Sequence, residues 1–214
     1  ENILNPTFTV TGIGVSHLEE YLYITQMFEG ECQEIIPSKG EHIYIGGAYI
    51  VGADGHMLTL VNNPDATNPT WKQLKTFLAQ DDTSEHPYDF EQFVCADFAE
   101  QLHNRAEEAG IKAGFVSITL PNYNPPTGYA AGHALNVFRL VETDKNCYID
   151  STNNLIGFSW GDSTAFIEPG EPYEAAPVAF VDLVQENGEW YWFGFGIHGL
   201  AVNDAIIGKI DIQW

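Results

Sequence analysis

The apolar residues Val94, Phe98, Leu102 and Ala106 recur every fourth position and form one stripe along a helix. The helix is placed around Phe93 to Ala109, and Gly110 is its stop. Beyond that glycine the texture changes. Phe115 to Leu120 reads as a strand, and Pro121 to Gly132 as a loop rich in Pro, Asn and Gly. Ala134 to Val141 is a second strand, Glu142 to Asn146 a polar turn, and Cys147 to Asp150 the return strand. Phe180 to Gln185 and Trp190 to Phe195 flank Asn187-Gly188, a hairpin signal. One long helix followed by antiparallel strands argues an α+β fold.

Upstream of the stripe, Asn68 can cap a helix and Pro69 suits its first position. Trp71, Leu74, Phe77 and Leu78 then share one helical face. Residues 1–66 read as a small mixed N-terminal lobe, with 67–214 as the main domain. In the lobe, Ser16-His17-Leu18-Glu19 fits a capping box opening a short helix that ends at Gly30. The run Tyr21 to Thr25 inside it is β-prone. His42 to Val51 and Met57 to Val61 read as a hairpin around Ala53-Asp54-Gly55, and Asn62 to Asn68 as a linker. With 44% hydrophobic and 13% aromatic residues, 214 residues suffice for one substantial core.

Eight Lys and Arg stand against 30 Asp and Glu, a formal charge of -22. Such a surface repels phosphate backbones, which excludes nucleic acid as a partner. No run of about 18 apolar residues is present, so no membrane insertion by a helix is expected. The histidines His17, His42, His56, His86, His103 and His198 show no metal-ligand spacing, and no cofactor is expected. Of the aromatic run Trp190-Tyr191-Trp192-Phe193, packing on a sheet face is the preferred reading over a binding groove.

Three cysteines are present: Cys32, Cys95 and Cys147. An odd count points to one thiol with a separate role. Cys32 and Cys147 either form a disulfide or are both buried free thiols. The surplus pair, together with a chain that starts at Glu1, leads to the expectation of an extracellular or cell-surface protein.

Cys95 has the chemically suggestive setting, near the start of the strongest helix. Helix N-terminal amides favour negative charge on sulfur, and a start near Phe93 rather than Asp89 suits that chemistry. His133, opening a strand after the Pro/Gly loop, is the base candidate. Asp150, closing an apolar strand before a polar loop, is the orienting acid. Any register that pairs an odd with an even position puts His133 and Asp150 on one sheet face. A turn centred on Thr143 to Asn146 leaves them several residues out of register, so an off-centre turn or bulge is expected.

The order Cys95, then Gly132-His133-Ala134, then Tyr148-Ile149-Asp150-Ser151-Thr152 resembles the transglutaminase-like superfamily, a branch of the papain-like cysteine enzymes. Cys95-Ala96-Asp97-Phe98-Ala99-Glu100 and Ala109-Gly110-Ile111-Lys112-Ala113 are similar to that family's helix and exit. The resemblance covers residues 70 to 155. It implies a catalytic helix packed on an antiparallel sheet, with Cys95 as nucleophile. His133 is then general base and acid, and Asp150 holds the imidazole tautomer. The family's upstream glutamine is matched only by Gln92, three residues before the cysteine and closer than the pattern. Gln92 and Tyr88 are the side-chain candidates for the oxyanion, beside the Cys95 amide. Asn136 follows His133 on the alternate face and has no role in the triad.

The expected function is cysteine-dependent acyl transfer on amide or ester bonds of peptide or protein substrates. Peptidase, amidase and cross-linking activity all fit. The alternative is a non-catalytic protein- or ligand-binding module on the same fold.

Overall fold

The computed structural model describes residues 9–18, 21–29, 40–45, 47–124, 131–152, 161–194 and 200–214, with only the backbone of 9–29 and 200–204. Two compact units divide between Ser38 and Lys39. The first carries strands β1 (Thr9–Leu18) and β2 (Tyr21–Glu29), antiparallel from Thr9↔Glu29 to Leu18↔Tyr21, with a bulge between Val10 and Gly12. The helix expected from Ser16 to Gly30 is therefore absent. Tyr21-Leu22-Tyr23-Ile24-Thr25 is rich in aromatic and β-branched residues, and a paired neighbour lets strand preference win over the capping signal.

The second unit opens with four two-residue strands: β3 (Glu41–His42), β4 (Tyr44–Ile45), β5 (Ala48–Tyr49) and β6 (Thr59–Leu60). β3 pairs with β6 and β4 with β5, and Val51 bridges to Met57. The expected hairpin over this stretch thus exists in short pieces. Its Ile43, Leu58 and Leu60 are buried with Ala96, Ala99, Phe115 and Ala134.

Two α-helices follow, α1 (Trp71–Leu78) and α2 (Cys95–Glu108). Thr70, rather than Asn68, caps α1. Its Oγ1 accepts the Gln73 N–H at 3.2 Å, and Gln73 Oε1 accepts the Thr70 N–H at 2.8 Å. That reciprocal pair satisfies two orphan donors at once, and it needs the glutamine three residues on. α2 ends in a Schellman turn: Gly110 N–H meets Glu107 O, Ile111 N–H meets Ala106 O, and Gly110 adopts φ +79°. A glycine suits that left-handed position.

The remaining strands are β7 (Gly114–Thr119), β8 (Gly132–Leu140), β9 (Lys145–Asp150), β10 (Ser163–Phe166), β11 (Pro172–Pro177), β12 (Val181–Glu186), β13 (Glu189–Gly194), β14 (Leu200–Ile206) and β15 (Ile210–Gln213). Seven form one curled antiparallel sheet in the order β14-β11-β10-β9-β8-β7-β15. Alternation gives this sheet two apolar faces. Phe138, Leu140, Cys147 and Ile149 pack with Trp71, Leu74, Leu102 and Ala106 of the helices. Leu135, Val137, Ala165, Tyr173 and Ala175 form a second core on the opposite face. The architecture is α+β.

β12 and β13 form a separate hairpin around Asn187 (φ 53°) and Gly188 (φ 85°), a two-residue turn whose twist suits paired strands. Trp192 stands edge-on to Trp71 with ring centres 4.9 Å apart, whereas Tyr191 and Phe193 are exposed. The aromatic run thus divides between core and surface. No helix among the described residues is long and apolar enough to cross a membrane.

Candidate active site

The start of α2 sets the position of the sulfur. Val94 is the N-cap residue and Cys95 the first helical residue. Valine has no side-chain acceptor, so the cap works in reverse. Asp97 Oδ2 takes the Val94 N–H at 2.8 Å and also the Ala53 N–H at 3.0 Å. Cys95 therefore lies in the first turn, where unpaired amides and the helix dipole favour an anion.

The beginning of β8 meets this turn. The His133 ring and the Ala134 N–H both lie against the Cys95 sulfur and favour its thiolate. The other side of the imidazole faces Asp150, with His133 Nε2 at 2.8 Å from Asp150 Oδ2, which leaves Nδ1 for Cys95. The β8–β9 register pairs Asn136 with Ile149 and Val137 with Tyr148. An even position faces an odd one, so His133 and Asp150 share a face. Extended by the same register, His133 stands opposite residue 152, two residues beyond Asp150. No bulge interrupts the ladder. The two side chains meet as diagonal neighbours, a span that long side chains reach.

Asp150 is 1% exposed, and its carboxylate is fully engaged. Oδ1 accepts Thr152 N–H at 2.9 Å and Thr152 Oγ1 at 2.7 Å. Oδ2 accepts the Tyr173 hydroxyl at 2.5 Å as well as His133. Burial opposes ionisation, but the His133 charge and these donors outweigh it and hold the carboxyl down to about 2.

The same balance acts on the other two groups. Burial opposes charge on His133, yet Asp150 and then Cys95 raise it well above the ordinary imidazole value. Burial also opposes the Cys95 thiolate. The His133 hydrogen bond and charge, with the Ala134 amide, lower it nonetheless, and Asp150 pulls weakly the other way. A lowered thiol beside a raised imidazole favours a thiolate–imidazolium pair. Cys147 is the internal contrast. It is a free thiol, 2% exposed in the helical core, and burial alone pushes it up. Cys32 lies outside the described residues.

Tyr88 joins the site and Gln92 does not. Tyr88 lies against Cys95, and its ring stacks on Phe98 at 6.1 Å. Burial first, then the Cys95 charge, push its ionisation up, so it stays a donor. Gln92 is exposed in the turn from Asp89 to Phe93 and gives its backbone N–H to Asp89 O at 3.2 Å. The spacing of Gln92 places it on the solvent side of that turn. Asn136 is buried on the helical face and donates to Ala99 O at 2.8 Å, bonding α2 to the sheet. Tyr173 carried no signal in the sequence, because its place depends on how β10 and β11 pair. No group of three or more His, Cys, Asp or Glu among the described residues is arranged to hold a metal ion. Comparison with protein-family models, curated proteins and solved structures gave no match.

Proposed function

We propose that this protein is a cysteine-dependent acyl-transfer enzyme of the transglutaminase-like, papain-like type, acting on amide or ester bonds of peptides or proteins. The observation that carries the reading is the His133–Asp150 hydrogen bond at 2.8 Å, with His133 against the Cys95 sulfur in the first turn of a helix.

The thiolate attacks the carbonyl carbon and forms the C–S bond, while the carbonyl oxygen takes the negative charge. The Cys95 N–H and the Tyr88 hydroxyl are the donors beside it. As the C–N or C–O bond breaks, the His133 imidazolium gives its proton to the leaving amine or alkoxide. Water or an amine then attacks the thioester and gives a proton to His133, and the thiolate leaves. Asp150 holds the ring in place for both transfers.

The test is labelling with a mild thiol alkylator, read by mass spectrometry at each cysteine. Selective labelling of Cys95 near neutral pH is the expected result, and labelling no faster than a model thiol overturns the reading. A binding-module reading draws on a different feature, the exposed Tyr191 and Phe193 of the β12–β13 hairpin. It predicts an inert Cys95.

A further inference from the structure

Each oxygen of the Asp150 carboxylate has two donors, and one of the four comes from a strand on the far side of β10. Tyr173 lies on β11, and β10 separates β11 from β9. Asp150 pairs with Ser163, and Ser163 pairs with Pro177, so these three share a sheet face. Tyr173 is four residues before Pro177 and falls on the same face. Its hydroxyl reaches past β10 to Asp150 Oδ2 at 2.5 Å. Its ring stands edge-on to the His133 imidazole, with centres 5.6 Å apart at 77°. Tyr173 is 2% exposed.

We propose that Tyr173 is a positioning residue of this site, whose phenol fixes the Asp150 oxygen that orients His133 and whose ring fixes the imidazole plane. The inference rests on the reading of Cys95 as nucleophile. The carboxyl torsion of an aspartate is soft, so two donors on Oδ1 alone leave room for Oδ2 to swing. Tyr173 closes that freedom with a second contact. Burial and the Asp150 charge push phenol ionisation well above its usual range, so the hydroxyl always donates. It also draws negative charge from Oδ2 and so tempers the hold of Asp150 on the imidazolium proton. The groups that face this centre are Cys95 on α2, His133 on β8, Asp150 on β9 and Tyr173 on β11. Tyr88 lies against Cys95, and Asp162 is linked through Ser151.

The experiment is the pH profile of Cys95 alkylation by iodoacetamide in the full chain, comparing wild type with Tyr173→Phe. The plateau rate should fall about 10-fold, the size of one hydrogen bond to a charged group. The alkaline limb, where His133 loses its proton, should move up by about one pH unit, because Asp150 then acts on His133 undivided. In an Asp150→Asn background the same change should have no further effect on the limb, since the tyrosine acts through the carboxylate. Incorporation of 3-fluorotyrosine at position 173 keeps the shape and strengthens the donor. It should move the limb down, and this arm serves if the phenylalanine variant fails to fold. An unmoved limb with an activated wild-type Cys95 overturns this inference alone. A shift that persists in the Asp150→Asn background also overturns it. A wild-type Cys95 no faster than a model thiol removes this inference and the acyl-transfer reading together.

Discussion

His133 and Asp150 meet across a diagonal: their strands are offset by two residues, yet Nε2 and Oδ2 are 2.8 Å apart. The offset keeps the imidazole at the open start of β8, beside the helix terminus, while the carboxylate stays buried one strand away. One side chain faces the Cys95 sulfur, and the other is shielded from water.

Asp150→Asn removes the charge that raises His133 and presents an amide where Nε2–H needs an acceptor. Turnover on an ester or amide substrate should fall by roughly 10⁴-fold, the loss seen when the orienting carboxylate of a triad becomes an amide. Steady-state kinetics on purified variants reads this out. A loss under about 10-fold contradicts the assigned role.

His133→Ala leaves the Cys95 sulfur with burial opposing its charge, and the Ala134 amide, the Tyr88 hydroxyl and the helix terminus in favour. Alkylation of Cys95 should lose its low-pH limb and become significant only near or above about pH 8.5, the range of a free thiol. Cys147 should stay unreactive in both proteins while folded. Mass-spectrometric rates across pH decide the matter.

The helix stripe, the Gly110 stop and the Asn187-Gly188 turn were legible because each is a local signal. The grouping of His133 and Asp150 was legible in part, since any hairpin register that pairs an odd with an even position puts them on one face, and the observed ladder is of that kind. Three things were not. The cap of α2 has no cap residue by composition, because Asp97 supplies the hydrogen bond from inside the helix. The β1–β2 hairpin hid behind a capping box, as strand pairing adds energy that no single segment displays. Tyr173 reaches Asp150 through two long-range strand pairings, and neither can be read from the residues near it.

His56 ties the turn at residues 53–56 to α2. Its Nδ1 lies 2.5 Å from Asp54 Oδ1, and its Nε2 lies 2.9 Å from Glu100 Oε2. The Glu100 hydrogen bond raises the imidazole, burial opposes it, and Asp54 adds to the rise, to about 9. A folded value above the unfolded one means stability that is complete below about 6.5 and lost as pH climbs through about 9. The side chain is 42% exposed, so solvent screening reduces the effect to about 1 kcal/mol. Thermal melts should show His56→Ala less stable than wild type at pH 6 and close to it at pH 10. A gap that does not narrow with pH refutes the charge argument.

Asp162 carries the opposite sign, and it lies close to the site. It is 8% exposed and accepts the Ser151 hydroxyl at 2.6 Å. Burial drives the carboxyl up, Ser151 offsets part of that, and the charges of Asp81 and Asp150 add to it, giving about 7. A carboxyl raised from 3.8 to about 7 costs nothing below 3.8, where both states are protonated. The cost grows between those values and is complete above about 7, on the order of 2–4 kcal/mol. Asp162→Asn keeps a carbonyl for Ser151 and removes the charge. The variant should match wild type near pH 4 and melt higher at pH 8, with the gap opening across that interval. Its Cys95 alkylation limb should shift only slightly, because Asp162 reaches the triad through Ser151 and by charge rather than by contact. Denaturant unfolding at pH 4, 6 and 8 measures the opening directly, and an Asp162→Asn variant less stable at pH 8 would show that the ionised carboxylate is held by donors stronger than Ser151.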